Sequence, residues 1–320
     1  MDMKIISVLT TRATRSAAAI LIAAAISISG AHSVDSAGDP VAASSTAAAT
    51  WLAGRSEADG GVSSGFAPGS DVGTTADAVI ALATAGRPTA AHLDYLAAQV
   101  RTNSKLTTGL MAKIALAVHA ADSDPRAFAG VDLAEKLLAA YRSDTGVIGD
   151  SVFTHSLAML ALARVGSRVP EKAVTTLESL QAPSGGWAFA GGDKADVDTT
   201  AVAVQALIAV GRPAQRGSAG RGLGYLHSLQ NSDGGFPYQV PSEFGTESNV
   251  NSTALVAQTI IAAGDQPESW AARHGNPLSF IVRMANDGGA FGFQKSFADD
   301  NVLATAGAIP ALLRKPIGVR

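Results

Sequence analysis

Apolar residues recur along this chain with helical spacing, and the stretches between them repeat. Each copy predicts a first helix, a glycine-rich turn with an aromatic, a polar Asp/Asn/Thr cluster, and an Ala/Leu-rich second helix. The clearest copy runs through Leu177, Gln181, Gly185, Gly186 and Trp187, then Asp196-Val197-Asp198-Thr199-Thr200, and ends at Gly211. The next has Gln230, Gly234, Gly235 and Phe236, then Asn249-Val250-Asn251-Ser252-Thr253, ending at Gly264. An early copy carries Gly60, Gly61 and Asp71-Val72-Gly73-Thr74-Thr75, and a late one Gly288, Gly289, Phe291, Phe293, Asp300 and Asn301. Two weaker copies lie between, from Thr89 to Asp122 and from Val131 to Gly166. The Asp, Asn, Ser and Thr clusters supply N-cap oxygens, and the closing glycines permit left-handed C-caps. The second helices are small and apolar nearly all round, so they are expected inside. The first helices, such as the one over 170–181 with Glu171, Lys172 and Glu178, are expected outside. Six such hairpins predict an all-α fold, an (α/α)6 toroid of a single domain over residues 46–316.

Composition agrees. Of 320 residues, 47% are hydrophobic, 16% charged and only 5% aromatic, a balance that favours helix over sheet. Residues 1–33 read as a signal peptide: Lys4, Arg12 and Arg15, an apolar run from Ala17 to Ile28, then small Ala31 and Ser33. A secreted or cell-envelope exterior location is therefore expected, with the membrane met only through that peptide. The Ser/Ala/Gly-rich residues 34–45 read as a flexible segment. After cleavage the chain would carry 21 basic and 26 acidic side chains, which argues against nucleic acid as a partner. With no cysteine, disulfides, thiolate metal sites and a cysteine nucleophile are excluded. The six histidines show no metal-binding spacing, so no metal is expected.

Leu177-x3-Gln181-x3-Gly185-x-Trp187 resembles the QW motif of squalene and other terpenoid cyclases, and Gln230-x3-Gly234-x-Phe236 is similar. The chain is thereby similar to the prenyltransferase/squalene-oxidase repeat superfamily, whose members share the α/α toroid. That resemblance specifies architecture more than activity, because the ring hosts cyclases, prenyltransferase subunits and corrinoid-binding proteins. It also implies a role for Asp196 and Asp198. In class II cyclases a DxDD motif supplies an acid that protonates an alkene, and here Thr199 stands where the third aspartate would be.

Two readings of those aspartates follow. Equivalent clusters in other copies make the motif a repeat-wide helix cap. Alternatively, Asp198 is a general acid tuned by Asp196. The leading expectation is non-catalytic binding of a small hydrophobic, corrinoid or isoprenoid ligand in the central cavity. A class II terpenoid cyclase is the alternative, and a cell-surface structural or adaptor protein with a surface or transport partner the third. The inner helices should all start at one mouth, which gathers the candidate ligand-binding residues. These are Asp71, Asp196, Asp198, Asn249, Asn251 and Asp300 with Trp187, Phe189, Phe236, Tyr238, Phe291 and Phe293, plus His155 on an inner helix.

Overall fold

In a computed structural model, which describes residues 39–243 and 245–319, the repeated clusters start helices as expected. The second helices are α2 (Val72–Thr84), α4 (Thr108–Ala120), α6 (Val152–Arg164), α8 (Val197–Ala209), α10 (Val250–Ala262) and α12 (Val302–Leu312). Each begins with a side-chain cap. Asp71, Thr107, Ser151, Asp196, Asn249 and Asn301 accept from the backbone N–H three residues on. Past α8 and α10, Gly211 and Gly264 turn the chain with φ of 86° and 81°, a conformation costly for residues with a Cβ.

The first helices are α1 (Pro40–Ala53), α3 (Ala90–Thr102), α5 (Leu133–Ala139), α7 (Glu171–Ser179), α9 (Gly217–Ser228) and α11 (Pro277–Arg283). The second helices pack on one another in the order α2, α4, α6, α8, α10, α12 and back to α2. The first helices stand outside them: α3 against α2, α5 against α4, α7 against α6, α9 against α8, α11 against α10. Helix α1 packs on α12 and so completes the outer ring. This closed (α/α)6 toroid confirms the fold read from the repeats.

One expectation fails at the start of the ring. Residues 40–45, read as flexible, belong to α1, where Asp39 accepts from the Val41 N–H at 3.0 Å and Pro40 opens the first turn. Asp before Pro is a strong start signal, and alanine is the best helix former, so the small-residue composition was compatible with helix. The expected signal peptide lies outside the described residues.

Two sets of hydrogen bonds lock the repeats at the mouth where the inner helices start. Thr75, Thr200, Thr253 and Thr305 each accept, at 2.9 Å, the N–H of Val62, Trp187, Phe236 or Phe291 in the turn of their own repeat. The first residues of α6, α8 and α10 donate to the next repeat's turn: Val152 to Phe189, Val197 to Tyr238, and Val250 to Phe293, all at 2.8 Å. The opposite mouth is closed by the C-terminal segment. The Ile317 N–H donates to Gln205 at 3.1 Å, and Arg164 donates to the Ile317 carbonyl at 3.1 Å. Gln205 is fully buried, so Gln205→Leu strands a buried N–H. It is expected to lower stability by about 1–3 kcal/mol in chemical denaturation.

Candidate active site in the ring cavity

Because the six inner helices share one register, equivalent positions form levels. Positions two, six and nine of a helix lie on one face, and here that face looks inward. The resulting cavity has a volume of about 240 Å³. Its upper level holds Phe153, Asp198, Asn251 and Leu303, each the second residue of its helix. Glycine occupies the same position in α2 and α4 (Gly73 and Gly109). One turn deeper come Asp77, Lys113, Leu157, Val202, Leu255 and Gly307, and below them Ile80, Leu116, Gln258 and Pro310 above the floor residue Ile317. The walls are mainly aliphatic, and Phe153 is the one aromatic among the lining residues.

The two aspartates of the DVDTT motif have different surroundings. Asp196 is the cap. Its Oδ1 accepts from the Thr199 N–H at 2.7 Å and its Oδ2 from the Phe189 N–H at 3.0 Å. Asp198 points into the cavity instead. Its Oδ1 is buried and has no hydrogen-bond partner among the described residues, and the same holds for Oδ1 of Asn251 on the neighbouring helix. Burial pushes the Asp198 carboxyl up to about 7, against a hydrogen bond from Ser252 that favours the anion, and the nearby Asp196 adds to the upward push. Burial raises Asp196 as well, opposed by the hydrogen bonds that it accepts. An oxygen with no donor at hand, inside a low-dielectric wall, suits a neutral acid that carries its own O–H. Asp198 is thus placed to hold a proton near neutral pH and to present it to an apolar cavity.

The remaining predicted residues divide into three groups. Asp71 and Asn249 are caps equivalent to Asp196, and the cap of α12 is Asn301, with exposed Asp300 accepting from Asn286 at 2.8 Å. Trp187, Phe236 and Phe291 are fully buried between helices and do not line the cavity. Phe189 is 52% exposed and stacks on Phe153, with ring centroids 6.1 Å apart. Tyr238 lines an outer groove of about 660 Å³ beside Asp193 and Lys194, and Phe293 is half-buried.

His155 corrects the expectation that it faces the cavity. It stands where Thr200 stands in α8, so its Nδ1 accepts the Ile148 N–H at 3.0 Å while Nε2 meets the Ala173 carbonyl at 3.1 Å. Both ring nitrogens are occupied by structural bonds, and burial pushes the imidazole below its ordinary range. Sequence reasoning missed Phe153, Ser252, Asp77 and Lys113. The last two were detectable as lone charges at the same register in otherwise apolar helices.

Residues 152–313, half of the chain, match the prenyltransferase alpha-alpha toroid domain family. The chain belongs to this family. A drimenyl diphosphate synthase from Streptomyces showdoensis is 31% identical over 189 residues, 57% of this chain, but the match spans only 33% of that protein. The type II terpene cyclase MstE from Scytonema, solved with geranylgeranyl dihydroxybenzoate, superposes with a TM-score of 0.67 at 13% identity, covering 86% of this chain and 97% of that one. A protein from Actinoplanes gives 0.61 at 16% identity over 86% and 98%. A glycosidase gives 0.58 at 15% identity over 86% and 96%. At such identities the likeness concerns the fold alone, and the toroid evidently carries more than one chemistry.

Proposed function

We propose that this toroid protonates a carbon–carbon double bond of a short isoprenoid, in the manner of a class II terpene cyclase. The observation that carries the reading is the unpartnered Oδ1 of Asp198, buried at the head of the cavity. The Asp198 O–H passes its proton to one alkene carbon, and the π electrons form the new C–H bond. The positive charge left on the more substituted carbon is then attacked by a second double bond, which closes a ring. The Ser252 hydroxyl stabilises the carboxylate left behind, and the Phe153 face lies at the same level for the developing cation. The Asp198 carboxylate regains its proton from the cyclised cation as a C–H bond there breaks to form a double bond, which returns the acid to its starting state. The DVDTT motif and the partial likeness to a drimenyl diphosphate synthase support this reading over the binding-only expectation.

The test is incubation of the purified protein with farnesol, geranylgeraniol and their diphosphates, followed by gas chromatography with mass spectrometry. A cyclised product is expected, and Asp198→Asn should reduce its formation by roughly 10²–10⁴-fold, the usual contribution of general acid catalysis. Product formed equally by the variant would refute Asp198 as the acid. A second reading, isoprenoid binding without turnover, is favoured by the single aromatic in the lining, since cyclising cations usually need several such faces. An isoprenoid that co-purifies and is never converted would establish it. The cavity's size favours an isoprenoid chain over a corrinoid in either case. Export is proposed alongside, supported by the basic, apolar and small residues that follow one another over 1–33.

A further inference from the structure

Asp77 and Lys113 are the sixth residues of α2 and α4, and their side chains pair across the cavity wall at 2.6 Å. Both remain 28–29% exposed, so the pair is reachable from the cavity. Every other lining residue at this depth is apolar, among them Leu157, Val202 and Leu255. As packing, such a pair is a poor choice, because taking two charges out of water costs about as much as their attraction returns. It does offer a ligand something. The ammonium has three donors, and its hydrogen bond among the described residues is the one to Asp77 Oδ2. The pair therefore presents a donor and an acceptor side by side, with no excess charge.

Position in the ring adds to this. In the cycle of six inner helices, α2 stands opposite α8 and α4 opposite α10. A ligand with its double bond at Asp198 and its chain across the cavity brings its other end to Lys113 and Asp77. The mouth also carries an excess of acidic side chains. The six loops leading into the inner helices (54–71, 103–107, 140–151, 180–196, 229–249 and 284–301) carry thirteen acidic and five basic side chains. Six helix N-termini offset this by only about three positive charges. A diphosphate would approach through a repelling field and then find the cavity's lysine already matched.

We propose that Lys113 and Asp77 form a charge-matched subsite for the uncharged, oxygen-bearing end of an isoprenoid, an alcohol in the simplest case, and that the cavity excludes prenyl diphosphates. This rests on the reading of the cavity as an isoprenoid site. A ligand hydroxyl accepts from the Lys113 ammonium and donates to the Asp77 carboxylate. The experiment uses farnesol, farnesene and farnesyl diphosphate as probes with one chain and three ends. Their binding is measured by displacement of the neutral dye N-phenylnaphthylamine from the intact protein, with melting curves to verify folding. Wild-type protein should bind farnesol about tenfold more tightly than farnesene, as one well-made hydrogen bond allows, and the diphosphate least. The double variant Asp77→Leu/Lys113→Met should bring farnesol to the level of farnesene. Asp77→Asn, which frees the lysine and alters little in shape, should raise diphosphate binding by about tenfold or more and decides the matter if the double variant does not fold. A wild-type preference for the diphosphate, or a farnesol preference that survives in the double variant, overturns the subsite. The intact pattern without any cyclised product would sink the proposed reaction alone. Asp198-dependent product with an unchanged preference in the double variant would sink the subsite alone, and no displacement by any probe would sink both.

Discussion

Asp198→Asn is expected to raise the melting temperature at pH 8 while it removes the proposed chemistry. The carboxyl sits in the ring with its proton held up to about 7, against an ordinary value of 3.8, because burial disfavours the anion. Below pH 3.8 the folded and unfolded chains both carry the proton, and the residue leaves stability unchanged. Between pH 3.8 and about 7 the unfolded chain ionises and the folded one does not, so stability falls as pH rises. Above pH 7 the loss is complete, and its upper bound is roughly 4 kcal/mol for a shift of about three pKa units. Asparagine carries no such penalty. The variant should therefore melt at the wild-type temperature near pH 3.5 and up to about 8 °C above it at pH 8, at about 2 °C per kcal/mol. Thermal melts of both proteins across pH 3.5–8.5 measure this directly. Parallel curves, with no divergence between pH 4 and 7, would show that Asp198 is ionised in the cavity and unfit to act as an acid.

That pair of effects, stability gained where chemistry is lost, is the mark of a residue held against its preference for the sake of function. It separates Asp198 from Asp196, whose replacement removes a cap and should destabilise. The distinction was present in the repeats. Asp71, Asp196 and Asn249 align as caps, and Thr75, Thr200 and Thr253 align as acceptors of the turn N–H. Between them the second helical residue varies around the ring: glycine at Gly73 and Gly109, then Phe153, Asp198, Asn251 and Leu303. Positions that recur serve the common architecture, and the position that varies faces the cavity, where each side chain can differ without breaking a link. Reading the whole DVDTT cluster as a cap joined these two kinds of position.

The closed ring was legible because six copies of one pattern carry more information than any one propensity. Helix order, the inner and outer assignment and the shared mouth all followed from it. The direction in which His155 points did not. Only alignment of its helix with α8 shows that an imidazole has taken the place of Thr200, and the weaker copies obscure that alignment. Exposure of the loop aromatics was equally hidden, since Phe189 at 52% and Trp187 at zero are two residues apart in one turn. Strict extended alternation would put both on one side, but the chain enters a turn at Phe189, and nothing in composition says where that turn begins.

Trp187→Ala is expected to be the most damaging single change outside the chemistry, and to act on stability alone. The indole is fully buried and packs on Gly222 of α9, where a Cβ would come within 2.8 Å of the ring. Its Nε1–H donates to the Leu177 carbonyl at 2.7 Å, at the end of α7. One residue thus joins two outer helices to the turn that feeds α8. Gln181 completes the joint by donating to the Gly185 and Ser218 carbonyls at 2.6 and 2.8 Å, so the QW motif is a rivet between repeats. Removal of the indole costs about 3–5 kcal/mol in lost burial and cavity formation, or roughly 6–10 °C. The fold supplies its own control, because Phe236 and Phe291 occupy the same place in later copies with the same threonine link. Trp187→Phe keeps the ring and loses the N–H donor, so about 1–3 kcal/mol is expected. Neither variant alters the cavity lining, so isoprenoid binding by the folded protein should be unchanged well below the melting temperature. Loss of binding by Trp187→Ala at an unaltered melting temperature would instead return the tryptophan to the ligand site.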